Sequence, residues 1–393
     1  YDTKMLVWHK KLPPEFVRQD AELSFFNAWM LEKGGQYEAA EEFFDITERL
    51  IDAKSVESRE SRFLLGKIAA IRANMALYKN EISEVIRFSE KAIEFLQDGE
   101  SSWRIHSKNI QGQAHFVNGE IGKAYRIFQD VASEGDQTGD FHAYLKGRIG
   151  QAAIQTTRGQ LSDVIDIYSE LYQKAQDKKL SQIPMMGWLY LNWGRVLGYQ
   201  NYTNEALRYI QQGLEFSEQI DDAAMIGEGN FNLVSALLIK GDTIGAEAAI
   251  EKTKTLAEQK DIPIWVVDSL EVQQVRIELN KGNLEPALQW MQGQKPGKDG
   301  SYKHLQLAKR ILVARILFAN NEVDDSLEIL RPLTRTPKND GWVIEQIVAI
   351  LIQARILKSR DEMSEAISLV KKALSLAEPG SIISVFIEEG API

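Results

Sequence analysis

The chain has no cysteine among its 393 residues. That excludes disulfides, thiolate metal sites and a cysteine nucleophile together, and it favours a reducing, cytoplasmic setting. Positive charge is also in deficit: 46 Lys and Arg against 56 Asp and Glu leave a formal charge of −10. Direct nucleic-acid contact by this segment is not expected, because neutralising phosphates needs a net basic surface. No apolar run approaches the roughly 18 residues of a membrane helix. The opening YDTKMLVWHKKLPPE is charged almost at once and lacks a signal-peptide core.

Recognisable chemistry is scarce as well. The five histidines show no HExxH spacing, and zinc needs several converging ligands, so no metal site is expected. No G-x-x-x-x-G-K-[ST] phosphate loop is present; the nearest string, GQKPGKD from Gly293, has the wrong spacing and ends on Asp. No nucleophile, base and orienting group stand at a supporting spacing. The chain therefore reads as non-enzymatic, with no cofactor of its own.

What the sequence does have is a mark that returns. A turn residue is followed five places later by Ala, Ser or Val: Gly35 and Ala40, Asn80 and Val85, Gly119 and Ala124, Gly159 and Val164, Asn201 and Ala206. The series continues with Gly241 and Ala246, Gly282 and Ala287, Asn321 and Ser326, and Asp361 and Ala366. The turn positions are 45, 39, 40, 42, 40, 41, 39 and 40 residues apart. A fixed period of this size is the signature of a solenoid.

In GWLYLNWGRVLGYQNYTNEALRYIQQGLEFSEQ, apolar residues recur at steps of three and four on both sides of Gln200-Asn201, which describes two amphipathic helices. The expected fold is all-α: a right-handed superhelix of about nine helical hairpins spanning residues 1–393 as a single domain, with a period of about 40 residues. Stacked hairpins bury each other's apolar stripes. Nine such units are expected to complete roughly one superhelical turn around a tube.

Repeat three places Gly112, Gly119, Ala124 and Phe128 in GQAHFVNGEIGKAYRIF, an order that resembles the tetratricopeptide repeat. Those units run to about 34 residues, and the longer period here resembles the superhelical domain of MalT-type, ATP-dependent LuxR-family transcriptional activators. Both ends carry the resemblance further. Trp8, Leu12, Pro13 and Glu15 with the Ala28-Trp29 pair are similar to that family's entry into its first repeat. Phe386, Glu389, Gly390 and Pro392 in ISVFIEEGAPI are similar to its exit. The resemblance implies an effector-sensing role. A small-molecule inducer or regulatory protein would bind the repeats and control self-association and transcription through the full-length protein. ATP would bind an upstream module and a helix-turn-helix would follow downstream. A start at Tyr1 without methionine fits a piece of a longer chain. A stand-alone adaptor or peptide receptor using the same concave face is the alternative.

In a tetratricopeptide register, the residue six places before each turn residue faces the groove. That row reads Trp29, Asn74, Gln113, Ala153, Arg195, Ser235, Arg276, Arg315 and Arg355. Its arginines are candidates for an anionic effector; the alternative is that each bridges to an acidic residue in the adjacent hairpin. Trp188, Arg195 and Tyr199 share one helix face, while Tyr190 and Trp193 turn toward neighbouring helices. Glu228 and Phe231, with His106, Asn109 and Gln113, would complete an amphiphilic inner wall suited to a sugar or ring-bearing ligand.

Overall fold

Each of the nine turn residues has left-handed backbone, from Gly35 at φ 68° and Asn80 at 62° to Asn321 at 63° and Asp361 at 62°. Only Gly, and after it Asn and Asp, takes that conformation cheaply, which is why those three residues mark the period. The amide after each turn residue then returns to the carbonyl five places earlier: Gln36 to Leu31 at 2.9 Å, Glu120 to His115 at 2.8 Å, Glu362 to Leu357 at 3.0 Å. This closure ends one helix and launches the next. The small residues five places on, from Ala40 to Ala366, are all buried where the two helices meet.

The computed structural model describes residues 13–52, 58–97, 101–294, 302–335 and 341–389. Within them a short helix α1 (Pro14–Val17) precedes nine hairpins, as the repeat predicts. These are α2 (Ala21–Lys33) with α3 (Tyr37–Asp52), α4 (Arg59–Tyr78) with α5 (Ile82–Phe95), and α6 (Ser101–Val117) with α7 (Ile121–Thr138). Next come α8 (Phe141–Thr157) with α9 (Leu161–Asp177), α10 (Met186–Tyr199) with α11 (Thr203–Gln219), and α12 (Ala223–Lys240) with α13 (Thr243–Gln259). The last three are α14 (Ile264–Asn280) with α15 (Leu284–Gly293), α16 (Lys303–Ala319) with α17 (Val323–Thr334), and α18 (Val343–Ser359) with α19 (Met363–Ala377). A 3-10 turn, Glu378–Gly380, and a last helix α20 (Ser384–Glu389) follow. The architecture is a TPR-like α-solenoid.

Several first helices are fixed at their start by side-chain caps: Asp20 accepts from Leu23 N–H, Ser58 from Ser61, Asp140 from Ala143 and Asp222 from Met225. In the third repeat, a Cβ at Gly112 would fall 2.7 Å from the Phe128 ring, so the small residue and the aromatic that suggested the motif are one close contact.

The coil is tighter than one turn. Gly35, at the first hairpin's tip, meets Ala223 and Asp261 at the entries of the sixth and seventh; Asp261 N–H donates to Gly35 O at 2.6 Å, and its carboxylate accepts from Tyr37 N–H at 3.0 Å. Tyr302, entering the eighth hairpin, donates its hydroxyl to Leu77 O in the second at 2.6 Å. Phe116 of the third stacks on Trp342 before the ninth, with centroids 5.8 Å apart. Gly159 of the fourth meets Val343 and Ile382, and Tyr199 O of the fifth accepts from Ile383 N–H at 2.9 Å. The first four tips thus touch the entries five or six hairpins later, and the fifth hairpin meets the segment before α20. Nine hairpins therefore make well over one superhelical turn, and the second coil sits on the first.

This corrects the single-turn tube, and it changes the core. One apolar cluster joins Leu145, Tyr168 and Trp193 of hairpins four and five to Ile347, Ile350 and Val385 at the far end. Another joins Ile110 and Val117 to Leu305 and Ile316. Burial is shared between coils as well as between neighbours.

Candidate functional site

The first helices of the hairpins line the inside of the coil. Several of their polar groups remain partly accessible, yet burial is the first cause of their pKa shifts: Tyr78, His106, Lys146, Tyr199, Glu228 and Glu345. Groups that are deep in protein and still wetted belong to an interior wall.

At its last arc the wall is cationic and already filled. Arg276 pairs with Glu388, and Arg315 grips Glu389 with both terminal nitrogens, one of them at 2.7 Å. Arg355 Nη1 lies 3.6 Å from the same Glu389 carboxylate. Glu389 is 2% exposed. Burial pushes its pKa up, but the arginines, Arg315 first, outweigh that and hold it below the usual carboxylate range. The alternative to an anionic effector was an acid in the adjacent hairpin for each arginine; the acids they hold stand instead on α20, which the closing of the coil carries inside.

Arg195 differs from the other three. Its Nη2 donates to Asn192 Oδ1 at 3.0 Å, its Nε is buried without a partner, and among the described residues no carboxylate lies within 4.0 Å of it. Its charge still reaches across the lumen. Burial raises the pKa of Glu228 and pushes Glu345 up to about 7, with Arg195 opposing both, while burial and then Arg195 push His304 down to about 4. Burial moves Tyr199 up to about 12. Glu345 borders a cavity of about 340 Å³ shared with Lys303, Arg310, Trp342 and Gln346. A smaller one of about 200 Å³ is bordered by the Arg276–Glu388 pair.

The first arc is cationic and aromatic. His106 Nδ1 is 2.9 Å from Lys146 Nζ. The His106 ring lies 5.9 Å from Trp103, which lies 5.1 Å from Trp29. Asn109 is 4% exposed and its Oδ1 has no partner; Gln113 is half-buried one helical turn on. Lys33 sits between Glu32 at 3.6 Å and Asp222 at 3.7 Å, and Asn74 donates to Glu32 at 2.8 Å.

The anticipated residues thus fall into three groups along the wall rather than one pocket. Two of them are half-buried and packed against apolar clusters: Phe231 meets Trp265 edge-on at 5.9 Å, and Trp188 lies against the Leu191, Ile210 and Leu214 cluster. Tyr190 and Trp193 turn to their neighbours as anticipated, Trp193 stacking on Tyr209 at 4.7 Å. Trp8, Leu12, Gly390 and Pro392 of the end motifs lie outside the described residues.

Residues 66–393 match the family described as the MalT-like TPR region. The chain belongs to that family. It is 22% identical over 390 residues to the HTH-type transcriptional regulator MalT of Serratia proteamaculans (strain 568), and 20% identical over 387 residues to that of Yersinia pestis (strain Pestoides F). Each alignment covers 96% of this chain and 42% of the relative, so the chain spans less than half the length of these regulators. Among solved structures, a Rap protein complexed with competence and sporulation factor superposes with a TM-score of 0.59 at 12% identity, covering 92% of this chain and 98% of that one. It shares the fold.

For this member of the MalT-like family, sequence reasoning missed Lys146, Glu345, His304 and the inward Glu388. Lys146 had a signal. Lys67, His106, Lys146, Trp188 and Glu228 each stand thirteen residues ahead of their hairpin's turn residue, a second inner row parallel to the arginines. Glu388 had none, because its place depends on how the whole coil closes.

Among the described residues no cluster of His, Asp and Glu could hold a metal ion, and no helix is long and apolar enough to cross a membrane.

Proposed function

We propose that residues 1–393 act as one effector-sensing, non-catalytic unit of a MalT-like transcriptional regulator. A small molecule or regulatory protein bound on the inner wall controls self-association and transcription through the full-length protein. The observation that carries this reading is the hold of Arg276, Arg315 and Arg355 on Glu388 and Glu389. The wall that an effector would fill is the wall that grips the exit helix α20. An effector that binds better to one state of this contact biases the switch by that difference in affinity and no more. The regulators named above support a role in transcription, and the Rap complex supports a ligand-binding use of this fold. ATP binding belongs, on this reading, to a module outside the chain.

Amide exchange across residues 384–389 tests the coupling. Arg315→Met is expected to speed that exchange at least tenfold. An effector found by thermal-shift screening of sugars, carboxylates and peptides is expected to change it in either direction. A tight inner-wall ligand that leaves exchange at 384–389 untouched sinks the proposal.

A further inference from the structure

We propose that Lys146 and His106, with the Trp29–Trp103 pair beside them, form a subsite for the carboxylate or phosphate group of a hydroxylated inner-wall ligand. Lys146 is a cation with no carboxylate in direct contact, and Asp140 acts on it only at longer range. Lys146 Nζ donates to His106 Nδ1 at 2.9 Å, and no carboxylate oxygen lies within 4.0 Å of it among the described residues. An ammonium has three donors and this bond uses one. Because Nδ1 accepts, the imidazole proton sits on Nε2, so the pair offers further N–H donors from both residues. Charged hydrogen bonds to an oxyanion are the strong kind.

Four further observations fix the chemistry. Lys67, His106 and Lys146 hold one register on three successive hairpins, and Lys67 Nζ lies 6.0 Å from the Trp103 centroid. Lys67 and Lys146 therefore flank the neutral His106 along one row of the wall. Burial first, then Lys33, pushes Lys146 down to about 8 against a weaker upward pull from Asp140, and burial, Lys146 and Lys33 push His106 well below its ordinary value. An arriving anion relieves that penalty, so binding gains from a cost already present in the free protein. Trp103 supplies an apolar face for a ring or carbon chain. Asn109, buried one helical turn from His106, has an acceptor oxygen without a donor, which a ligand hydroxyl would satisfy. Arg276, Arg315 and Arg355 have their carboxylates, and Lys33 has Glu32 and Asp222; Lys146 has none within 4.0 Å among the described residues. The subsite deepens the sensing proposal and rests on it only for the consequence of binding.

The test uses residues 1–393 with inorganic phosphate, acetate, glucose and glucose 6-phosphate, at ionic strength matched with sodium chloride. Readouts are tryptophan fluorescence, the thermal midpoint and the Lys146 side-chain NMR signal. Saturable binding of glucose 6-phosphate or phosphate is expected, at least tenfold tighter than glucose, with Lys146 becoming more basic. A response to acetate alone assigns the subsite to carboxylates. Lys146→Met is expected to weaken anion binding at least tenfold, and Lys146→Arg to keep it, which separates lost contact from lost fold. Equal anion affinity in the wild type and Lys146→Met overturns the subsite, as does an anion response no different from chloride. Anion binding that leaves exchange at 384–389 unchanged keeps the subsite and sinks only the regulatory coupling.

Discussion

The two ends of the inner wall solve the same electrostatic problem in opposite ways. In the last three hairpins, guanidinium groups converge and the chain's own α20 brings Glu388 and Glu389 to them. In the third and fourth hairpins, Lys146 and His106 are half-buried, and among the described residues no carboxylate lies within 4.0 Å of Lys146, Asp140 acting on it only at longer range. A buried cation is tolerated when paired and costly when not. The filled end therefore behaves as a structural clasp, and the unfilled end carries a standing cost of the kind that marks functional sites.

The largest effect is expected from emptying the filled end. Glu389→Ala leaves Arg315 and Arg355 without their carboxylate, while Arg276 keeps Glu388. Removing one partner of a buried pair costs about 3–5 kcal/mol; the lumen is partly wetted, so the lower end of that range is expected in urea denaturation. Arg315→Met combined with Glu389→Met should recover most of the loss, because the two sites are coupled. If Glu389→Ala unfolds like the wild type, the two ends do not differ as described.

The next contrast is in pH. The folded pKa of Glu389 is held below its unfolded value. Its contribution is fully present above the unfolded pKa and is lost as pH falls through the folded one. Lys146 runs the other way. Its folded pKa is about 8 against an ordinary 10.5, so its penalty is complete below about pH 8 and is relieved as pH rises through that window. The stability of the wild type minus that of Lys146→Met should grow between about pH 8 and 10.5, and that of the wild type minus Glu389→Gln should shrink at acid pH. A flat alkaline difference would show that Lys146 is already paired or well solvated.

The filled end and the unfilled end were not equally legible in the sequence. The hairpins were readable because a positive φ admits few residues, and Asn80, Asn201 and Asp361 mark it as clearly as the glycines do. Helical register then put Arg276, Arg315 and Arg355 on one face. What they hold was not readable, since no local residue states that the tip of one hairpin will meet the entry five or six later. That follows from small rotations summed over every repeat. The contact of Gly35 with Asp261 makes the same point: a Cβ at Gly35 would fall 2.5 Å from Asp261 O, a requirement visible only once the second coil is in place. Lys146 was within reach of sequence reasoning, by following its row of residues as fully as the arginine row.

The smallest predicted effect lies inside the clasp. Arg315 makes the two-pronged contact and its side chain is 17% exposed, whereas Arg355 stands 3.6 Å from Glu389 with 31% exposed. Paired hydrogen bonds fix a guanidinium more firmly than a single long approach, and water screens the more exposed group. Arg355→Ala should therefore cost about 0.5–1 kcal/mol, clearly less than Arg315→Ala, and it should raise exchange at 384–389 by a smaller factor. The ranking matters more than either value. If the two substitutions release α20 equally, the clasp is a diffuse cationic field in which geometry plays no part, and an anion at the other end of the wall would need only charge to compete with it.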